Sequence, residues 1–315
     1  MKGVFLAVLI ITIALIAAFF IPVKQTNELG VEANFYNVLE QLNYPSNWIK
    51  WQASLQQIFN KDSVKCRIKN DAVNSAFSIE IPEHTFYVKK STPLTFTVEE
   101  KIKNKFSVYG ITVVSTTLPN KTNIATIRRL SLFNYIFSSN KKNAADITAN
   151  NLKTFLENPT AFYGYKLKIE GVVDTNVVVT KKIVATKDRQ RQLASMYNDL
   201  TAFIHANNLT VMQPKIASLK TRSNDSTEMM AGIPVNKTVP SNPDIQFVKM
   251  PKGRMLVGEY EGIYSKKASL SNAMEKYIRD HMMVGVAVPY EKYLNDSIPA
   301  NDTSIVKLKM YYPVF

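Results

Sequence analysis

Cysteine is nearly absent from this chain. Of 315 residues only Cys66 is one, so neither an internal disulfide framework nor a cysteine-cluster metal site can form. Histidine is almost as scarce. His84, His205 and His281 are the three, and none has a second ligand at metal-binding spacing, which argues against metal catalysis. Acidic residues are also in deficit, 25 against 39 basic ones, for a formal net charge of +14. A DNA-binding module would gather that excess on one helix or arm. Here it falls in scattered pairs such as Lys89-Lys90, Lys141-Lys142, Lys181-Lys182 and Lys266-Lys267, with no helix-turn-helix pattern and no basic heptads. The charge reads as a solvated basic surface able to attract anionic lipid headgroups. No nucleic-acid partner and no cofactor are expected.

What is present describes folded protein: 46% apolar and 20% charged residues. The length suggests two domains and a tether, each domain large enough to bury its own core. The tether is expected in residues 1–22. VFLAVLIITIALIAAFFI, from Val4 to Ile21, carries no charge, and as a helix would measure roughly 27 Å, close to a bilayer core. Pro22 ends it. The exit Phe19, Phe20, Ile21 suits a signal peptidase badly, so an uncleaved transmembrane anchor is expected. Lys2 and the amino terminus bias the N-terminus toward the cytoplasm and the bulk of the chain to the other side.

Residues 23–160 read as a first domain. A short strand leads into a helix whose Phe35, Val38, Leu39 and Leu42 follow the i, i+3, i+4, i+7 pattern of one buried face. A proline turn, the pair Trp48 and Trp51 and several strand-like runs follow, and the region closes on the helix NAADITANNLKTFLEN. The order of elements, with NFYNVLEQLNYPSNWIKW at the opening and NNLKTFLEN near the close, resembles the START-like, polyketide cyclase/SRPBCC superfamily. That resemblance implies a curved sheet gripping the last helix around a cavity. This copy lacks the charged residues that some members place there, and a ligand-free structural domain is the alternative.

Residues 164–315 contain a repeat. Strand VVDTNVVVTKKIVAT, a helix from Asp188 to Asn207, and strands PKIASLKT and TEMMAGIPV make one unit. Strand GRMLVGEYEG, a helix from about Ser265 to His281, and strands VGVAVPYEKYL and SIVKLKMYYPV make the other. The fold class expected is therefore α+β: a transmembrane helix, a helix-grip domain, then a duplicated β-α-β-β domain with an antiparallel sheet and helices on one face. Leu193, Met196, Tyr197, Leu200 and Phe203 form the stripe of one helix, and Leu270, Ala273, Met274, Tyr277 and His281 that of the other. His281 reads as a helix-end residue.

Alternation along VGVAVPYEKYL puts Val284, Val286, Val288 and Tyr290 on one face, fit to pack on a helix, and Gly285, Ala287, Pro289 and Glu291 on the other. Gly258, Tyr260 and Gly262 alternate likewise. A void floored by small residues, walled by tyrosines and holding one carboxylate suits a flat or cationic organic ligand. The alternative is a solvated Glu291 paired with Lys307 or Lys309.

MPKGRMLVGEYEGIYSKKASLSNAMEKYI, followed by VPYEKYLND and a terminal MYYPV, resembles the GyrI-like effector-binding domain, the ligand-sensing half of many bacterial transcription activators. The matching residues are Pro251 and Gly253, Gly262 and Tyr264, then Glu291, Tyr293 and Leu294, and finally Tyr312, Pro313 and Val314. The resemblance implies that Glu291 faces the bound ligand, with Tyr260, Tyr264, Tyr293 and Tyr312 around it. Tyr260 departs from the histidine many members carry. Family activators join this domain to a DNA-binding module, in whose place this chain has the expected anchor.

The function expected is that of a membrane-anchored small-molecule binding protein without a DNA-binding module. It would sit in a bacterial inner membrane, single-pass, with its bulk on the periplasmic side, and its ligand would be small and hydrophobic or cationic. The alternatives are a hydrolase with Glu291 as general base and a structural envelope protein. The sequence names no protein partner.

Overall fold

The structure is a computed structural model that describes residues 2–61, 65–138, 143–172, 175–250, 252–294 and 298–315, the side chains of 2–8 and 14 excepted. Lys141, Lys142 and Pro251 lie outside these. The chain divides into two compact units, Met1–Asn158 and Pro159–Phe315.

The first unit begins with helix α1 (Lys2–Phe20). Among the described residues no helix is long and apolar enough to cross a membrane, so the span expected over Val4–Ile21 is not supported. Strand β1 (Pro22–Val31) follows, then helices α2 (Phe35–Asn43), α3 (Pro45–Trp51) and α4 (Ala53–Lys61). Asn34 caps α2 by accepting from the Asn37 amide at 2.8 Å, and Pro45 opens α3, where its missing N–H costs nothing. Strands β2 (Arg67–Asp71), β3 (Ala76–Ile81), β4 (His84–Thr92), β5 (Thr95–Ile102), β6 (Lys105–Ser115) and β7 (Thr122–Ser131) come next, then helices α5 (Leu132–Ser138) and α6 (Ala144–Leu156). The strands form one antiparallel sheet in the order β1-β7-β6-β5-β4-β3-β2. Helix α6, capped by Asn143, lays Ala145, Thr148, Ala149, Leu152 and Leu156 against it. Trp48 is fully buried and donates its indole N–H to the Leu42 carbonyl at 3.1 Å.

The second unit comprises α7 (Pro159–Tyr163), β8 (Leu167–Val172), β9 (Thr175–Ala185), α8 (Arg189–Ala206), β10 (Ile216–Ser223), β11 (Ser226–Pro234), β12 (Gln246–Met250), β13 (Gly253–Ile263), α9 (Ala268–Asp280), β14 (Tyr290–Tyr293) and β15 (Ile305–Pro313). Its sheet runs β12-β9-β11-β10-β14-β15-β13-β8, and every pairing is antiparallel. The two β-α-β-β units, β9-α8-β10-β11 and β13-α9-β14-β15, meet edge to edge at β10 and β14. Their helices cover one face, where Leu193, Met196, Tyr197, Leu200, Leu270 and Met274 pack with the strands. His281 caps the end of α9 and stacks on Tyr277 at 3.8 Å.

Connectivity forces this sheet to curl. β12 stands at one edge and β13 next to the other, six strand spacings apart, which in a flat sheet is roughly 29 Å. Yet Met250 ends β12 and Gly253 begins β13, three Cα steps that reach at most about 11 Å. The hairpin-short link from Val172 to Thr175 imposes the same closure between β8 and β9. Residues of β9, β12 and β13 on the helix-free face border one hollow, so that face is the concave one.

Candidate functional site

The site lies at the seam of the repeat. Glu291 of β14 stands opposite Ala217 of β10 and Met310 of β15, and residues paired across a ladder share a face. Ala217, Met310 and their neighbours Leu308 and Tyr293 belong to the core beneath the helices, so Glu291 points to the helix side. Tyr290 points the other way and stacks flat on Tyr311 at 5.0 Å. This reverses the expected faces. Residues 284–288 do not form a strand either. Only an isolated bridge, Gly285 to Val314, precedes β14, and Val284, Val286 and Val288 are exposed. Pro289 offers no N–H to a ladder, so regular pairing starts at Tyr290.

The glycine expected to floor a void does something else. A Cβ at Gly258 would come within 2.6 Å of Leu270 Cδ1 and 2.8 Å of Met274 Sδ. Gly258 is small because α9 packs directly on it. The open space lies further along, between the starts of the two helices: a cavity of about 380 Å³ lined by Glu291, Tyr264, Tyr312, Lys267, Ser271 and Arg189 among others.

Glu291 is only 6% exposed, and both of its oxygens are engaged. Tyr293 donates to Oε2 at 3.0 Å, and Lys267 donates to Oε1 in a tight ion pair. The expected partners Lys307 and Lys309 instead face Glu261 and Glu259. Lys267 also donates to the Tyr264 hydroxyl at 2.8 Å and lies 4.0 Å from the centre of that ring. Burial works against the Lys267 ammonium, but the Glu291 carboxylate and the Tyr264 phenol together outweigh it and hold its pKa above the usual value. Burial, and then Glu291, raise both Tyr264 and Tyr293, keeping them neutral phenols.

Of the expected site residues, Glu291, Tyr264 and Tyr312 line the cavity. Tyr293 supports Glu291 from behind, fully buried. Tyr312 shares a hydrogen bond of 2.6 Å with Ser271. Tyr260 stands apart from the lining, and its hydroxyl closes the local turn by donating to the Ile263 carbonyl at 2.6 Å. Sequence reasoning missed Lys267. Its signal was present: Lys267, Leu270 and Met274 fall at i, i+3 and i+7, on the stripe that faces the sheet. Arg189 was missed too; it begins α8 at the cavity wall and is tied to Asp302 at 2.5 Å. Chemically, the arrangement has the features a cation would need: a carboxylate at the base, an aromatic face beside it and hydroxyls around the rim.

The first unit holds buried charge that the sequence reading did not find. His84 Nε2 lies 2.8 Å from Glu100 Oε1, Tyr109 donates to Glu100 Oε2 at 3.3 Å, and the Tyr109 and Thr148 hydroxyls share a bond of 2.9 Å. Gln52 donates to Thr148 at 3.3 Å and accepts from Asn151 at 2.6 Å. The network ties β4, β5 and β6 to α6. Burial, then Glu100, push the Tyr109 phenol far up.

No family model matches the chain, and no curated protein does. Several solved structures are similar to part of it. The C-terminal domain of EcmrR is 15% identical, covering 48% of this chain and 98% of that one with a TM-score of 0.38. A hydrolase from Listeria innocua is 12% identical, covering 48% and 92% at a TM-score of 0.37. SAV2435 bound to tetraphenylphosphonium is 12% identical, covering 48% and 94% at a TM-score of 0.31.

Proposed function

We propose that the chain is a small-molecule binding protein whose second unit takes an organic cation with an aromatic body at Glu291. The observation that carries this reading is that the cation position is already filled from within. The Lys267 ammonium sits against the carboxylate and the Tyr264 ring, as a ligand's charge would. Its side chain is 19% exposed against 7% for Glu291, so it can turn outward to water while the carboxylate cannot. A ligand then exchanges one cation for another and adds the burial of its apolar body, which Lys267 does not supply.

The GyrI-like resemblance of residues 164–315 supports this reading, since its Glu291, Tyr264 and Tyr312 lie on the cavity wall and Tyr293 behind it. The order of strands in the first unit, with α6 laid across them, supports the START-like assignment. The charge-free run Val4–Ile21 supports a single-pass anchor in a bacterial inner membrane, with the folded units on the periplasmic side. Retention of the chain in membranes after carbonate extraction, and its release when residues 1–22 are deleted, would test that. The hydrolase alternative asks Glu291 to accept a proton. With both oxygens engaged by Lys267 and Tyr293, the carboxylate is set for pairing with a cation instead.

Thermal unfolding of the full chain with tetraphenylphosphonium decides the main point. At 100 times its dissociation constant, a ligand adds about 2.7 kcal/mol. The wild type gains that stabilisation and Glu291→Gln does not. Lys267→Met melts lower when empty, because the buried carboxylate loses its partner, and gains more than the wild type when the cation is added. Equal responses in wild type and Glu291→Gln, or none in either, would remove the site from Glu291.

A further inference from the structure

The concave face of the curled sheet, opposite the helices, carries a second cavity of about 710 Å³, larger than the one at Glu291. Its wall is built from both repeats. Val177 and Val179 of β9, Ile216 of β10 and Met255 of β13 are buried to 5% exposure or less. Met230 and Met250 complete the wall from β11 and β12. The charged residues at this cavity, Lys252 and Arg254, are exposed at the start of β13. From Arg254, alternation carries the side-chain direction to Leu256, which belongs to the core beneath the helices. So the Tyr290 phenol is the main side-chain group the interior offers water, and a water needs two to four polar partners to stay.

The mouth continues the same chemistry. Val286, Ala287 and Val288, in the segment that fails to become a strand, line this cavity while remaining exposed. Three unsupported apolar side chains at the edge of an apolar hollow are a poor surface for water and a good one for an apolar guest. The volume falls within the ~300–1,000 Å³ range of pockets that hold drug-sized ligands.

We propose that this cavity is a second binding site, independent of the one at Glu291, and that its ligand is an uncharged lipophilic molecule of drug size. Methionine walls suit such a guest because their flexible, polarisable side chains adapt to its shape. The Glu291 cavity is built around a buried carboxylate with hydroxyls about it, whereas this one is lined by valines, methionines and Ile216, and Tyr290, which borders both cavities, is its one tyrosine. The two sites differ in ligand charge and open on opposite faces of one sheet.

Benzophenone is a neutral lipophile that inserts into neighbouring C–H bonds under light, and it serves as both probe and label. The full chain is irradiated with it and mapped by peptide mass spectrometry. Label is expected on Met230, Met250 or Met255. Ala287→Trp, which fills the mouth from an exposed position, reduces it roughly tenfold, and Glu291→Gln leaves it unchanged. Label confined to the apolar helix α1, label at these methionines that Ala287→Trp does not reduce, or label lost in Glu291→Gln would each overturn the proposal. So would a wild type that sediments as a dimer beside a monomeric Ala287→Trp, which would give this face to a second copy of the chain.

Discussion

Glu100 and Glu291 are equally buried, at 5% and 6% exposure, yet they are placed for different ends. Glu100 meets His84, itself 8% exposed, and Tyr109, and through Tyr109 and Thr148 the network reaches the closing helix α6. Each partner is enclosed by protein. Glu291 meets one enclosed partner, Tyr293, and one, Lys267, that stands at the edge of a cavity. A buried carboxylate is costly unless paired, so both are paired. What separates a structural carboxylate from a binding one is whether its partner has somewhere else to go. By that criterion Glu100 is placed to hold a fold together, and Glu291 is placed for the exchange proposed above.

The strongest way to break this comparison is to remove each carboxylate. Glu100→Leu strands His84 and loosens Tyr109 inside the first unit, and should cost about 3–5 kcal/mol, the usual price of breaking a buried pair. Glu291→Leu lets Lys267 turn to water and leaves Tyr293 short of one acceptor, which should cost about 1–2 kcal/mol. Trp48 and Trp51 are the chain's two tryptophans and both lie in the first unit. Their emission in a urea titration therefore reads the first loss, and tyrosine emission, to which the second unit contributes ten of the 15 tyrosines, reads mainly the second. Equal losses would mean that Lys267 is as locked as His84, and the exchange reading would fail.

A smaller effect sharpens the comparison on the open side. Gly258→Ala drives a methyl into Leu270 and Met274 and should cost about 1–3 kcal/mol as overpacking. Gly285 has nothing within 4 Å of its would-be Cβ, so Gly285→Ala should stay within about 0.5 kcal/mol. A neutral Gly258→Ala in denaturant titration would mean that α9 does not press on β13.

Much of this was legible beforehand, and the failures have physical causes. The repeat and its antiparallel sheet with both helices on one face follow from patterns within a few residues, and the same patterns single out Glu291, which the structure buries at the seam. The face of Glu291 does not. Alternation fixes which residues share a side but not which side meets the helices. That is decided by register against Ala217 and Met310, strands far away in sequence. The valines at 284, 286 and 288 looked like a helix-facing stripe because exposed apolar residues at a cavity mouth and buried ones in a core have the same spelling. Lys267 and Glu100 were hidden by their charge. Each occupies an apolar position in its own period, Lys267 with Leu270 and Met274, and Glu100 with Phe96 and Val98. A charge that keeps the rhythm of a buried face points inward, and that signal finds both.

The mildest perturbation, alkaline pH, tests the coupling itself. Tyr264, Tyr293 and Lys267 all have pKa values raised in the folded state above the ordinary 10.0 of tyrosine and 10.5 of lysine. Each therefore holds its proton in the folded chain at pH values where the unfolded chain has released it. The stability this linkage contributes is fully present below about pH 10 and is lost as pH rises from there toward the folded values, by at most about 1.4 kcal/mol per group per pH unit. The melting temperature should be flat from pH 7 to 9 and then fall. In Glu291→Gln the carboxylate that raises all three is gone. Burial still raises the two tyrosines but now lowers Lys267 against Tyr264 alone, so the fall above pH 10 should be shallower than in the wild type. Tyr109, raised by burial and Glu100, is untouched by that substitution and keeps part of the slope in both proteins. If the wild type and Glu291→Gln fell in parallel, Glu291 would not be the charge that organises the cavity, whatever its place in the sequence motif.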